Sequence, residues 1–373
     1  MSSPVTSPAA RPGVDPVPVD PVPPHLRESI SRTLEAFIAT KAEELAALGE
    51  DLLPLFDVAR LALSGGKRLR PAFAYWGWRA AGGNPAKSQP MMVAAAAIEL
   101  VHASALVHDD VMDASQTRRG RLAAQHEFAR LRDPYVAGEA AARFGRSAAI
   151  LLGDMLLSWS DELLDRSELK PRALARGRVY FNRLRTEVVA GQYLDVLGQT
   201  TRRNTAADAM RVIRYKSAKY TIERPLQFGA ALSNADRPLL EALSSYGVPL
   251  GEAFQLRDDI LGVFGDAQVT GKPSGDDIRE GKRTLLMARA MDLSTPGQRT
   301  TLDAHVGDPD LDAEGIDAVQ QVLRDSGALR SVETVISELA SAARSALRHA
   351  PIGSEEVREA LFVLTDRATR RSV

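Results

Sequence analysis

The residues best able to do chemistry are acidic. Leu106-Val107-His108-Asp109-Asp110-Val111-Met112-Asp113 closes an apolar helical run with a DDxxD pattern. Asp109 and Asp113 are four apart and share one helical face, with Asp110 beside them. Three carboxylates within about 6 Å repel each other, and desolvation beside Leu106 and Val107 raises that cost. A divalent cation is the natural counter-charge, and magnesium prefers oxygen ligands while keeping waters and substrate phosphates in its shell. A second pair, Asp258-Asp259, follows Phe254-Gln255-Leu256-Arg257 at the end of another apolar stretch. Taken singly, either cluster is as well read as a solvated helix end. Two such sets facing across a cavity would clamp several divalent ions and one polyanion.

A polyanion also needs fixed cations. Gly65-Gly66-Lys67-Arg68-Leu69-Arg70-Pro71 places three within four positions, after glycines that allow close backbone approach. Lysine offers a mobile point charge and arginine a fork that matches two phosphate oxygens. Thr117-Arg118-Arg119-Gly120 follows the first aspartates closely. Lys216-Ser217 lies in a helical stretch with Lys219, and Lys272 and Lys282 follow the second pair. His102 and His108 are six apart and fall on opposite helix sides, a poor metal pair. His102 is better read as a hydrogen-bond donor to an anion. No GxSxG, HExxH, GxGxxG or Walker A sequence occurs, which argues against hydrolase, zincin and nucleotide-binding classes.

The elements that must position these residues are helical. Apolar residues recur at three- and four-residue spacing from Leu26 to Leu48, Ala95 to His108, Ser147 to Leu164 and Leu174 to Asp195. The same holds from Ala206 to Leu232, Pro238 to Val263 and Leu329 to His349. Alternating strand-like runs are nearly absent. Eight of the 21 prolines fall in the first 24 residues, which predicts a disordered tail over 1–25. Residues 26–373 are expected to form one all-α domain, a large bundle around a deep central cavity. The charge of -1 gives no basic excess for nucleic acid. The lack of cysteine excludes disulfides, thiol nucleophiles and zinc fingers, and fits a reducing cytoplasm. The most apolar run, Met91 to Val107, contains Glu99 and His102 and is too short to span a membrane. The N-terminus lacks the basic-then-apolar order of a signal peptide. The sequence therefore predicts a soluble cytoplasmic protein without a membrane span.

In this order the motifs resemble those of the trans-isoprenyl diphosphate synthases, or polyprenyl synthetases. The likeness runs from about Leu26 to Arg371 and includes Glu99-Leu100-Val101-His102, Gly191-Gln192-Tyr193-Leu194-Asp195, Lys216-Ser217 and Gly271-Lys272. It implies a helical fold, a homodimer and about three Mg2+ ions per site. By resemblance, Asp109 and Asp113 hold two ions on an allylic diphosphate with Asp110 supporting them, and Asp258, helped by Asp259, holds a third. Lys67, Arg70, His102 and Arg119 would bind isopentenyl diphosphate. Arg118, Lys216, Ser217, Gln255, Lys272 and Lys282 would surround the allylic substrate. The implied reaction is ionisation, condensation and elimination, with the proton leaving to the released diphosphate.

The chain departs from the family pattern at Gly262, where the second motif usually ends in aspartate, so the third ion would rely on Asp258 and Asp259. Asp266 is off register, and Ser217 replaces the commoner threonine. In the family, large aromatics four and five residues before the first aspartate stop growth at fifteen carbons. Here those positions are Ala105 and Ser104, with Val101 and Ile98 a turn below. The expected product is longer than farnesyl diphosphate, foremost geranylgeranyl diphosphate. A class I terpene cyclase would share DDxxD but carry an Asn/Asp, Ser/Thr, Glu second motif. A non-catalytic regulatory subunit would typically lose the first aspartates or the basic loop.

Overall fold

Helices form where the apolar spacing places them. In the computed structural model, which describes residues 21–131, 138–200, 205–265 and 275–369, α1 (Pro24–Glu44) starts with a proline in its first turn and buries Leu26, Ile30, Leu34, Phe37 and Ile38. The expected tail boundary at residue 26 is corrected. Pro24 and His25 are helical, Val22 is buried, and Trp76 Nε1 donates to the Pro21 carbonyl at 2.7 Å. The indole needs that acceptor once it is buried, so the folded part reaches back at least to Pro21.

The part that carries both aspartate clusters is built from α2 (Leu53–Leu63), α3 (Leu69–Ala80), α4 (Gln89–Met112), α5 (Ala124–Arg130), α6 (Glu139–Asp165) and α7 (Pro171–Thr200). It continues through α8 (Ala206–Val212), a π-helix (Ile213–Glu223), α9 (Arg224–Leu232) and α10 (Arg237–Phe264). α4 is the spine: it packs chiefly on α6 and also on α1 and α3, while α3 packs on α9. Among the described residues α4 alone is long and apolar enough to cross a membrane, but 72% of its most apolar window is buried by other helices. It is a core helix.

The chain then adds α11 (Asp276–Arg279), α12 (Leu285–Leu293), α13 (Pro296–His305), α14 (Ala313–Asp325), α15 (Ala328–His349) and α16 (Glu355–Thr369). Their second, smaller core includes Leu256, Ile260 and Val263 from the far end of α10.

Two local features differ from the expectation. The run Ala206–Leu232 is not one α-helix, because its middle is the π-helix, a rare form frequent at functional sites. Arg224 N–H bonds Lys219 O, and the following Pro225 has no N–H with which to continue an α-ladder. Glycines set this segment between α7 and α10: a Cβ on Gly191 would lie 2.4 Å from Lys216 N, and one on Gly251 2.5 Å from Ala218 Cα. The second feature is a hairpin of two short strands, β1 (Thr117–Arg118) and β2 (Arg121–Leu122). Arg119 and Gly120 both take positive φ at its turn (54° and 72°), the geometry that matches strand twist.

Candidate active site

The first aspartate cluster is the last turn of α4. Asp113 caps the helix, Ala114 takes a positive φ of 51°, and Ser115 N–H returns to Asp110 O at 2.9 Å, a Schellman closure. Three carboxylates therefore sit at the negative pole of a helix, where the dipole disfavours them. Donors from three other elements, two of them cations, converge on them. Gln192 of α7 donates to Asp109 Oδ1 at 2.8 Å, and Lys216 of the π-helix reaches the same oxygen at 3.2 Å. Lys216 also bonds Asp195 Oδ2 at 2.6 Å. Arg118 Nε donates to Asp110 Oδ1 at 2.8 Å, and its Nη2 lies 3.5 Å from Asp109 Oδ2. Burial opposes the Lys216 charge, but Asp109 and Asp195 outweigh it and raise its pKa. Asp113 differs from its neighbours. Its Oδ1 is buried without a hydrogen-bond partner, and burial reinforced by the Asp109 charge lifts its pKa to about 6.

The hairpin turn sends its adjacent arginines opposite ways. Arg118 faces the aspartates, whereas Arg119 donates to Ser64 O at 3.0 Å and lies against Gly66, where a Cβ would meet its guanidinium at 3.3 Å. The basic loop is latched to α4 at two points. Arg68, the N-cap of α3, bonds Glu99 Oε2 at 2.5 Å and Leu63 O at 2.6 Å, with both charged side chains buried. Arg70 Nη1 meets His102 Nε2 at 3.2 Å, Nη2 donates to Thr221 Oγ1 at 2.9 Å, and the guanidinium lies 4.4 Å from the Tyr220 ring centre.

His102 lies between Arg70 and Tyr220. Arginine only donates, so Nε2 accepts and Nδ1–H serves the Tyr220 hydroxyl at 3.2 Å. Burial, then the charges of Arg70 and Arg119, push its pKa well below the usual value and keep it neutral. Both ring nitrogens of His102 are thus engaged, one by Arg70 and one by Tyr220. His108 points the other way, to Ile150 O at 3.1 Å. Lys67 is exposed and borders a cavity of about 290 Å³ with Leu69, Phe73, Thr221 and Phe254.

The second pair lies on α10, six residues before its end at Phe264. Asp259 is buried and accepts from Gln255 Nε2 at 2.8 Å, and burial lifts its pKa to about 7. Lys282 bonds Asp277 Oδ1 at 2.7 Å and Glu280 Oε2 at 2.9 Å. These carboxylates raise its pKa despite its burial. Ser217 is half-buried beside Lys216. Ser104 and Val101 are buried and Ala105 is half-buried, all on α4 below Asp109. Lys272 and Asp266 lie outside the described residues. Gln192, Asp195, Glu99, Tyr220, Thr221 and Asp277 had no assigned role from sequence. The first three stand within motifs already noted there. Tyr220 and Thr221 lie four and five residues past Lys216 in the π-helix. Among the described residues no three His, Asp or Glu side chains gather tightly enough to hold an ion unaided. That suits an ion whose remaining ligands are water and phosphate.

The described residues thus form a helical bundle with an acidic pole flanked by Lys216 and Arg118. The polyprenyl synthetase family profile matches residues 55–324. A geranylgeranyl pyrophosphate synthase from Corynebacterium glutamicum, solved with isoprenyl diphosphate and magnesium, is 38% identical with a TM-score of 0.89, covering 93% of this chain and 99% of that one. A geranylgeranyl diphosphate synthase from Methanosarcina mazei is 33% identical over 267 residues, 70% of this chain and 76% of its own length. A nonaprenyl diphosphate synthase from Mycobacterium tuberculosis is 30% identical over 346 residues, 93% of each chain. The chain belongs to the polyprenyl synthetase family, a family of prenyltransferases, and has its helical fold.

Proposed function

We propose that this protein is a magnesium-dependent trans-prenyltransferase that condenses isopentenyl diphosphate with dimethylallyl, geranyl or farnesyl diphosphate, with geranylgeranyl diphosphate as its main product. The observation that carries the reading is the convergence of Lys216, Gln192 and Arg118 on Asp109 and Asp110 at the end of α4. The residues fit a divalent ion: Asp113 Oδ1 is a buried acceptor with nothing to accept from. Asp109 and Asp113 would hold ions on the allylic diphosphate, and Asp258 a further one. When bound, the metal stabilises the charge that develops on the departing diphosphate. Lys216 and Arg118 add fixed positive charge at the same place. Lys67, Arg70 and Arg119 receive isopentenyl diphosphate, with Arg70 aimed by His102, Thr221 and Tyr220. The apolar helices keep water from the allylic cation.

Small side chains at Ser104 and Ala105 support a product beyond fifteen carbons. The spread of products named for the relatives makes the C20 assignment the part most in need of test. A cyclase has no use for the latched basic loop. A regulatory subunit has no use for an intact acidic pole. We also infer a homodimer, supported by Ile150 and Leu151 of α6 and Val189 and Tyr193 of α7, all exposed, and a cytoplasmic site of action, supported by the lack of cysteine. The test is to incubate the protein with Mg2+, labelled isopentenyl diphosphate and each allylic primer, then chromatograph the dephosphorylated products. A main C20 alcohol supports the proposal, and a C15 or C25 product keeps the reaction but moves the floor. No condensation by folded protein refutes the catalyst reading.

A further inference from the structure

The end of α2 gathers three arginines. Arg68 Nη2 donates to Leu63 O at 2.6 Å, Arg119 Nη1 to Ser64 O at 3.0 Å, and Arg121 Nη1 to Ser64 Oγ at 3.0 Å. A helix leaves its last carbonyls without internal partners and is negative at that end, which suits guanidinium groups. Ser64 is the C-cap. Its N–H and its hydroxyl both donate to Leu61 O, at 3.2 and 2.8 Å, so the hydroxyl proton is committed and Oγ is left to accept from Arg121. Gly65 and Gly66 then take positive φ (68° and 82°) and lead the chain into Lys67. Arg118 and Arg121 are paired across the hairpin, where like charges repel. Each is drawn to a separate acceptor, Arg118 to Asp110 and Arg121 to Ser64. Both strands are thus tied down, and the turn between them presents Arg119. The acceptor of Arg119 is a neutral carbonyl, so that bond orients the guanidinium without neutralising its charge.

We infer that Ser64 is a positioning residue for the isopentenyl diphosphate site: it holds Arg119 through its carbonyl and, through Arg121, the hairpin that carries Arg119. This rests on the proposed role of Arg119 as a ligand of that substrate. Ser64 acts through other residues, joining the hairpin to the loop that bears Lys67 and Arg70. The hydroxyl is the group required, because it alone donates to Leu61 O and accepts from Arg121 at once. Alanine loses both bonds. Threonine keeps both, and the extended backbone at Ser64 (φ -72°, ψ 149°) accepts a β-branched side chain.

The test is steady-state kinetics of the full chain with Mg2+ and saturating allylic primer, read as kcat and as the KM for isopentenyl diphosphate. Ser64→Ala and Arg121→Met should each raise that KM about 3- to 10-fold, the scale of one hydrogen bond, with kcat nearly unchanged. Combined, they should cost no more than either alone, because both break the same bond. Ser64→Thr should return the KM toward the wild-type value. If Ser64 only capped α2, Ser64→Ala would lower the melting temperature and leave the KM where it was, which overturns the inference. Effects that add in the double variant, as expected if Arg121 met the substrate by itself, overturn it too. Arg121 is exposed, and Arg121→Met keeps the test decisive should Ser64→Ala fail to fold. Arg119→Met separates the two readings. If it leaves the KM for isopentenyl diphosphate unchanged, the role of Arg119 falls and the inference with it. If it raises that KM while Ser64→Ala and Arg121→Met do not, the inference alone is overturned.

Discussion

Replacing Glu99 by alanine tests how the basic loop is held. Arg68 is 6% exposed and Glu99 4%, with 2.5 Å between guanidinium and carboxylate. Glu99 and His102 are three apart on α4, and they grip Arg68 and Arg70 respectively. Removing one partner of such a pair strands the other charge in the interior, at a cost of about 3–5 kcal/mol. Arg68 keeps one bond, to Leu63 O at 2.6 Å, so the lower end of that range is expected. Glu99→Gln retains an acceptor and loses only the charge, and should cost about 1–3 kcal/mol. Arg68→Met with Glu99→Leu removes both charges and should cost much less than Glu99→Ala. Urea denaturation gives the three values. Steady-state kinetics then separates stability from function. With the latch loosened, the KM for isopentenyl diphosphate should rise while that for the allylic primer changes little, because Lys216 and Arg118 are held by other groups. A loss below about 1 kcal/mol for Glu99→Ala, against the expected range for a buried pair, would refute the reasoning.

Three further outcomes are expected. Burial raises Asp113 and Asp259 to about 6 and about 7, above unfolded values near 4. The folded chain then holds more protons than the unfolded one, so this stability is present below about pH 4 and is lost as pH rises through about 6 and 7. The melting temperature in EDTA should fall over that window, less steeply for Asp259→Asn, and identical slopes would contradict the assignment. Ser104→Phe should shorten the product, read by chromatography, and an unchanged distribution would misplace the floor. Gly191→Ala would put a Cβ 2.4 Å from Lys216 N. It should lower kcat at least about tenfold by misplacing Lys216, with the KM for isopentenyl diphosphate nearly kept.

The helical architecture was legible because apolar spacing records burial, and α4, α6, α7 and α10 fall on the runs that show it. The acidic pole was legible for a different reason: repulsion makes clustered aspartates conspicuous. Four features were not legible. The π-helix leaves no spacing signal, since Lys216, Tyr220 and Thr221 read equally well as α-helix until Pro225 and the glycine contacts are seen in space. The hydrogen bonds of His102 could not be read because its partners Arg70 and Tyr220 are remote in sequence. Gly262 reads in sequence as a missing aspartate, and only the fold shows the Asp277 carboxylate lying against it. Arg68, one of three neighbouring cations, could not be told apart from Lys67 and Arg70 until its burial against Glu99 gave it a separate job.

The cations on the acidic pole have a consequence for the order of events. Lys216 is held by Asp109 and Asp195, and Arg118 by Asp110. On the proposed function, these two cations needed by the allylic diphosphate are engaged by acids, among them Asp109, which a metal would need. A diphosphate alone would have to part these pairs and then face the freed acids, and a metal alone would face the freed bases. A metal–diphosphate complex carries both signs, and it alone can exchange internal partners for external ones without stranding a charge. The pocket thereby acts as a coincidence detector. It withholds ionisation of a water-sensitive substrate until both components have arrived together.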